Sequence, residues 1–131
     1  MRSISKLDNK PIVRLGEGVL GRDGFLSLPI YENRDLIIQW GKVNIDYAGE
    51  HSPYSVVGGS VNRYSGAASF PIPFPNSLLS VSASSNDVVN AYIASIYSYT
   101  PNIFQWSYHS TTAYTSNSGG RGAFSWIAIG Y

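Results

Sequence analysis

The 131-residue sequence contains no cysteine, which rules out disulfide bridges and any zinc held by thiolates. Charge is nearly missing from its second part: residues 51–131 carry one acid, Asp87, and two bases, Arg63 and Arg121, against seven of each sign in residues 1–50. Soluble surfaces normally rely on charge, so here Ser, Thr, Asn and Tyr must carry the polar load. A net charge of +1 with no cluster of Lys or Arg leaves no footprint for nucleic acid. No segment approaches the ~20 apolar residues of a membrane span. The opening stretch MRSISKLDNKPIVRL also lacks the apolar run of a signal peptide. The expectation is a protein neither inserted in a membrane nor secreted by a cleaved leader. There is no G-x-S-x-G, no phosphate loop and no dinucleotide fingerprint. Glycan hydrolysis usually takes a pair of carboxylates, and residues 51–131 supply only Asp87. A partner would have to come from Asp46, Glu50 or another copy of the chain. The sequence therefore predicts no enzyme and calls for no cofactor.

What the chain does hold is aromatic: ten Tyr, five Phe and three Trp. Short apolar and β-branched runs separated by turn residues predict strands over 36–45, 67–74, 78–84, 88–97, 102–109 and 123–131. Alternation is visible in Phe104/Trp106/Tyr108 and in Phe124/Trp126/Ala128, and no window carries a helical stripe. The predicted fold is all-β, an antiparallel sandwich of six or seven strands over residues 36–131. Residues 1–35, punctuated by 16-GEGVLGRDG-24 and without clear periodicity, read as an irregular neck or linker.

Within the second predicted strand, 70-FPIPFP-75 alternates Phe70, Ile72 and Phe74 with Pro71, Pro73 and Pro75. In an extended segment, residues two apart share a face and their N–H groups share an edge. The prolines would strip donors from one edge while the large apolars face a core. Such an edge would resist association with other sheets, or would pack against another subunit.

The connections between predicted strands are unequal: 46–66, 75–77, 85–87, 98–101 and 110–122. If successive strands run antiparallel, the first, third and fifth lie at one pole and include both long ones. That is the geometry of a tip whose long loops, with Gly pairs 58-GG-59 and 119-GG-120 for flexibility, point away from the neck.

The pieces 36-LIIQWGKV-43, 70-FPIPFPN-76 and 124-FSWIAIGY-131, in this order and with the last closing the sequence, closely resemble the C-terminal domain of bacteriophage tail-fibre proteins. The same domain occurs in prophage side fibres and phage-tail-like bacteriocins. The resemblance covers residues 36–131. It implies a β-sandwich tip in a homotrimeric fibre, part of a virion tail made in the host cytoplasm and acting at the bacterial cell surface. It further implies recognition of a surface glycan, lipopolysaccharide or another polysaccharide, with the rest of the fibre and a fibre assembly chaperone as further partners. The alternative is a structural module that terminates the fibre or registers the trimer, with receptor binding elsewhere.

Candidate ligand-binding residues follow from the same map. Trp40, Trp106 and Trp126 lie in strands and read as core. Tyr54, Tyr64 and Tyr114 fall in the long connections, where a flat apolar ring with a polar tip suits the C–H faces and hydroxyl rims of sugars. Asn117 and Arg121 add an amide for vicinal hydroxyls and a fork for carboxylate or phosphate, and Arg63 offers a second cation. Asp87 is a turn residue or, beside Asn86, an acceptor for sugar hydroxyls. His109 joins the candidate set. With His51 it is one of two histidines, and one imidazole per chain about a threefold axis could form a metal site, but a surface or packing role is the commoner use and no metal is predicted.

Overall fold

The computed structural model describes residues 4–7, 10–13, 16–31, 33–86, 92–110 and 121–131. All regular elements among them are strands: β1 (Ile4–Leu7), β2 (Lys10–Val13), β3 (Glu17–Val19), β4 (Gly24–Tyr31), β5 (Arg34–Asp46), β6 (Ser52–Val56), β7 (Gly59–Ser69), β8 (Leu78–Ser85), β9 (Tyr92–Tyr99), β10 (Ile103–Ser110) and β11 (Arg121–Gly130). Strands β1 and β2 pair with each other. The rest form two antiparallel sheets, a four-stranded one in the order β6-β7-β10-β9 and a five-stranded one in the order β3-β4-β5-β11-β8. Ile37, Ile45, Phe124, Trp126 and Ala128 of one sheet share a core with Tyr64, Phe104, Trp106 and Tyr108 of the other. The all-β antiparallel sandwich is thus as expected. Its core is aromatic, with Trp126 edge-on to Phe104 at 5.1 Å and to Phe70 at 5.6 Å between ring centroids. Such pairs add about 0.5–1.5 kcal/mol each beyond area burial.

Three segments differ from expectation. Residues 17–31 are not irregular: β4 pairs with β5 from Gly24↔Trp40 to Tyr31↔Arg34, and β3 pairs with β4. Residues 25–29 are half-buried, so no two-residue alternation marks β4. Its Pro29 sits past the last β3 contact at Ser27, beside a break in register, where a missing donor costs least. The connection 46–66 is likewise mostly strand: β6 and β7 form a hairpin closed by Val56↔Gly59. Gly58, at φ 87°, takes the left-handed third position of that four-residue turn and is a geometric requirement rather than a flexible spacer.

The third difference concerns 70-FPIPFP-75, which is not a strand. β7 ends at Ser69, and the segment carries the chain from the four-stranded sheet to the five-stranded one. The facing is as read, with Phe70 and Phe74 buried and all three prolines exposed. The donors, however, have a different role from edge protection. Each remaining N–H is satisfied by a separate partner: Phe70 by Asn102 O at 2.9 Å, Ile72 by Gln39 Oε1 at 2.9 Å, and Phe74 by Pro101 O at 3.0 Å. A crossover between two sheets has no ladder to join, so a donor at 71, 73 or 75 would need yet another partner. Proline removes that need and pre-sets an extended backbone. Gln39, fully buried, also donates Nε2–H to Ile72 O at 2.8 Å, so its amide acts as a one-residue strand for the crossover.

The register fixes which ends lie together. Asp46 pairs with Arg121, Phe124 with Ser85, and Ser110 with both Asn62 and Tyr92. The stacked Tyr47 and Tyr108, at 6.3 Å, join the same ends of the two sheets. The ends of β5, β8 and β10 and the starts of β9 and β11 therefore gather at one pole, as the alternating-direction argument requires. The other pole is closed by Tyr131, whose carbonyl accepts from the N–H groups of Asn76 and Ser77, both at 2.8 Å.

Each of the three tryptophans lies directly across the ladder from a glycine: Trp40 from Gly24, Trp106 from Gly66, and Trp126 from Gly41. A large ring laid over a glycine compensates for its missing side chain and fixes register. Trp106 and Trp126 are buried as expected, while Trp40 is half-buried and donates Nε1–H to Gly21 O at 3.0 Å.

Candidate functional site

The inward positions of β10 are Phe104, Trp106, Tyr108 and Ser110, so Gln105, Ser107 and His109 face outward. Cross-strand pairing then sets His109 beside Arg63 of β7 and Ile93 of β9, and Ser107 between Ser65 and Ser95. A register break between Gln105 and Trp106 leaves Tyr97 as the extra residue of β9. This bulge projects its ring beside the groove, where it is 61 % exposed. Arg63, Ser65, Tyr97, Ser107 and His109 together line an open cavity of about 420 Å³ near the pole where the strand ends gather.

One hydrogen-bonded chain crosses this face. Tyr54 Oη and His109 Nδ1 are 2.6 Å apart, His109 Nε2 and Ser107 Oγ 3.2 Å, and Ser107 Oγ and Ser95 Oγ 2.9 Å. The protons can run in either direction, because each hydroxyl both donates and accepts and neutral imidazole has one of each. Burial and the nearby Arg63 guanidinium hold the His109 pKa below its ordinary value, which keeps the ring neutral at physiological pH. Among the described residues no group of histidines and acids is placed to hold a metal, and His51 instead contacts Gly49 O through Nδ1 at 2.8 Å.

Tyr54, Arg63 and His109 of the expected set are thus brought together. Tyr64 is not with them: it is 3 % exposed and donates its hydroxyl to Tyr47 O at 3.0 Å, so it belongs to the core. Tyr64→Phe is expected to lower stability by about 1 kcal/mol in urea titration without changing any binding property. Asn86 lies on the five-stranded sheet, where its side-chain amide and the Ser125 hydroxyl exchange two hydrogen bonds, 2.9 and 3.1 Å, and its N–H reaches Ala123 O. Arg121 begins β11 at the shared pole. Asp87, Tyr114 and Asn117 lie outside the described residues. Asp46 Oδ1 accepts from the Ala48 N–H at 2.9 Å and shapes the turn after β5. Tyr97, Ser65, Ser95 and Ser107 were missed. The signal for them was the two-residue spacing: Ser107 precedes His109 in β10, and Ser95 precedes Tyr97 in β9.

Two antiparallel sheets packed on a shared aromatic core define the class, a β-sandwich domain, and its four-stranded sheet carries a tyrosine- and serine-lined groove. The chain belongs to the family described as "tail fiber protein gp53-like, C-terminal", whose model matches residues 33–131. It is therefore a tail-fibre C-terminal domain. No curated protein matches it. Solved structures of pyocin fibres share the fold. The N-truncated R2-type pyocin tail fibre is 19 % identical with a TM-score of 0.59, covering 90 % of this chain and 38 % of that one. The C-terminal part of the P. aeruginosa R1 pyocin fibre is 20 % identical with a TM-score of 0.59, covering 90 % and 28 %. An N-truncated R1-type pyocin tail fibre is 19 % identical with a TM-score of 0.59, covering 90 % and 87 %. The chain thus spans less than two-fifths of the first of these fibres.

Proposed function

We propose that residues 36–131, with β3 and β4 completing their five-stranded sheet, form the receptor-binding tip of a tail fibre, that the residues before β3 lead to its shaft, and that the tip binds a bacterial surface glycan without cleaving it. Lipopolysaccharide or another polysaccharide is the receptor. The reading rests on the outward groove of β7, β10 and β9, which an exposed Tyr97 ring lines together with Ser65, Ser107, Arg63 and His109. A flat apolar ring beside hydroxyl donors and acceptors matches the two faces of a sugar. Membership in a tail-fibre family supports a binding rather than an enzymatic role.

The tip acts as a homotrimer. Support comes from the outer face of the five-stranded sheet, where the register lines up Leu26, Leu36, Ile38, Trp40, Ile127 and Ile129. Ile127 is 46 % exposed and the others are half-buried. A contiguous apolar sheet face of this kind marks an interface. Three chains packed by it would turn three grooves outward, and tethered copies raise avidity by about 10²–10⁴ where geometry allows.

The test is a fibre carrying Tyr97→Ala. Adsorption to host cells is expected to fall at least about tenfold while light scattering still gives three chain masses for the isolated domain. Undiminished adsorption would remove the groove from the receptor site, and a monomer of the wild-type domain would remove the avidity account.

A further inference from the structure

We propose that the groove holds an anionic substituent of a saccharide, a carboxylate or a phosphate, gripped by the Arg63 guanidinium and the His109 chain while Tyr97 covers the sugar ring. The proposal rests on the groove being the glycan site and specifies which class of glycan it takes.

Charge balance is the first argument. Arg63 is exposed on the outward face, and among the described residues neither β6, β9 nor β10 places a carboxylate beside it. Among the described residues, the charged or titratable groups at the groove beside His109 are Arg63 from β7, Tyr54 from β6 and Tyr97 from β9, and its own strand offers Ser107. Among the described residues the groove lining therefore holds the Arg63 charge and no carboxylate, in a part of the chain otherwise almost free of charge. A guanidinium presents a planar fork that matches two oxygens of a carboxylate or phosphate.

The hydrogen-bonded chain supplies the second argument. With neutral His109, one end of the Tyr54–His109–Ser107–Ser95 chain points a donor outward and the other an acceptor. When the ring takes up a proton, both nitrogens donate. Tyr54 and Ser107 must then accept, and the Tyr54 and Ser95 hydroxyls both turn their protons outward. Protonation thus adds a positive charge beside Arg63 and makes both ends donors, and each change favours an anion. The coupling is reciprocal: burial and, after it, repulsion from Arg63 lower the His109 pKa, and a bound anion offsets the second of these, so it raises the pKa. Affinity for the anion therefore increases as pH falls through the bound-state pKa. It levels off once the free protein is protonated as well.

The experiment uses the full chain and three multivalent conjugates, of glucuronic acid, glucose 6-phosphate and glucose. Wild-type protein is expected to bind one or both acidic conjugates roughly ten- to a hundredfold more tightly than glucose, and the acidic conjugate that binds identifies the anion. For the glucuronate conjugate, whose carboxylate stays ionised throughout, that preference should grow from about pH 8 to about pH 5, whereas the phosphate itself takes up a proton at about pH 6. The His109 ring signals in NMR should titrate at higher pH with the acidic sugar present. Arg63→Gln should bring the acidic conjugates down to the glucose level, and its exposed position spares the fold. Equal binding of all three, or an acid preference that survives Arg63→Gln, would overturn the proposal while leaving the groove as a glycan site. Host-cell adsorption unchanged by Tyr97→Ala would overturn both.

Discussion

Gln39→Leu is expected to destabilise the domain by about 3 kcal/mol, a large fraction of the ~5–15 kcal/mol that holds a typical domain together. The side chain is 0 % exposed, and its amide meets both the N–H and the carbonyl of Ile72. Leucine matches its size but leaves both backbone groups without a partner, each costing about 1–3 kcal/mol where buried, with some relief at half-buried Ile72. Phe70 and Phe74 flank Ile72, so a loosened crossover would also disturb the ring contacts at 5.1 Å between them. Gln39→Glu separates hydrogen bonding from packing. When ionised, the new carboxylate can still accept from Ile72 N–H, but its other oxygen opposes Ile72 O with no donor. Its folded-state pKa is therefore raised above that in the unfolded chain. The destabilisation should be full at neutral pH and recede as pH falls towards about 4, where the protonated acid again donates. Urea titrations across that range decide it. A leucine variant within about 1 kcal/mol of wild type, the size of the extrapolation error itself, would mean that the crossover does not depend on this amide.

That glutamine shows how far the sequence was readable. The glutamine sits in 36-LIIQWGKV-43, one of the pieces that carried the family resemblance, yet no local rule explains a polar residue on the core face of a strand. Only the crossover opposite supplies the reason. Strands β8, β10 and the first half of β11 were legible because they alternate large apolar with small or polar residues over one buried face, and β5 because 36-LIIQW-40 is a run of apolar and aromatic residues. The β6–β7 hairpin was not, since β6 is exposed along its whole length and β7 mixes Ser, Gly, Asn and Arg. Reading that hairpin as a loop had a direct cost at the site. Arg63 and Tyr64 are adjacent, and in a strand adjacent residues face opposite sides. Both could be ligand contacts only if no strand were there. Once β7 is in place, Arg63 joins His109 outside and Tyr64 joins Tyr108 inside. The pole survived these errors because it depends on strand direction rather than on strand ends. Ser107 and Tyr97 were hidden by their neighbours: Trp106, Tyr108 and Ile96 drew the reading to the core.

Gly41→Ala is expected to cost about 3 kcal/mol, at the upper end of the 1–3 kcal/mol typical of overpacking. A Cβ at this position would come within 2.6 Å of the Trp126 ring and would press against Asp23 Oδ1. Neither neighbour can move freely. Trp126 is wedged against Phe70 of the crossover and Phe104 of the opposite sheet, and Asp23 Oδ1 accepts from the Lys42 N–H at 3.0 Å. Space for the methyl must therefore come from separating the sheets or breaking that contact. Trp126→Leu removes the obstructing ring at its own cost in lost burial, and the two changes touch the same space. The double variant should accordingly be less destabilised than the sum of the two singles by at least about 1 kcal/mol. Gly59→Ala is the control, because a Cβ there meets nothing within 4 Å and its backbone is not left-handed. It should stay within about 0.5 kcal/mol of wild type. Strict additivity of the Gly41 and Trp126 changes would show that the ring does not depend on the bare glycine opposite it, and the account of the tryptophan–glycine pairs as register locks would fall with it.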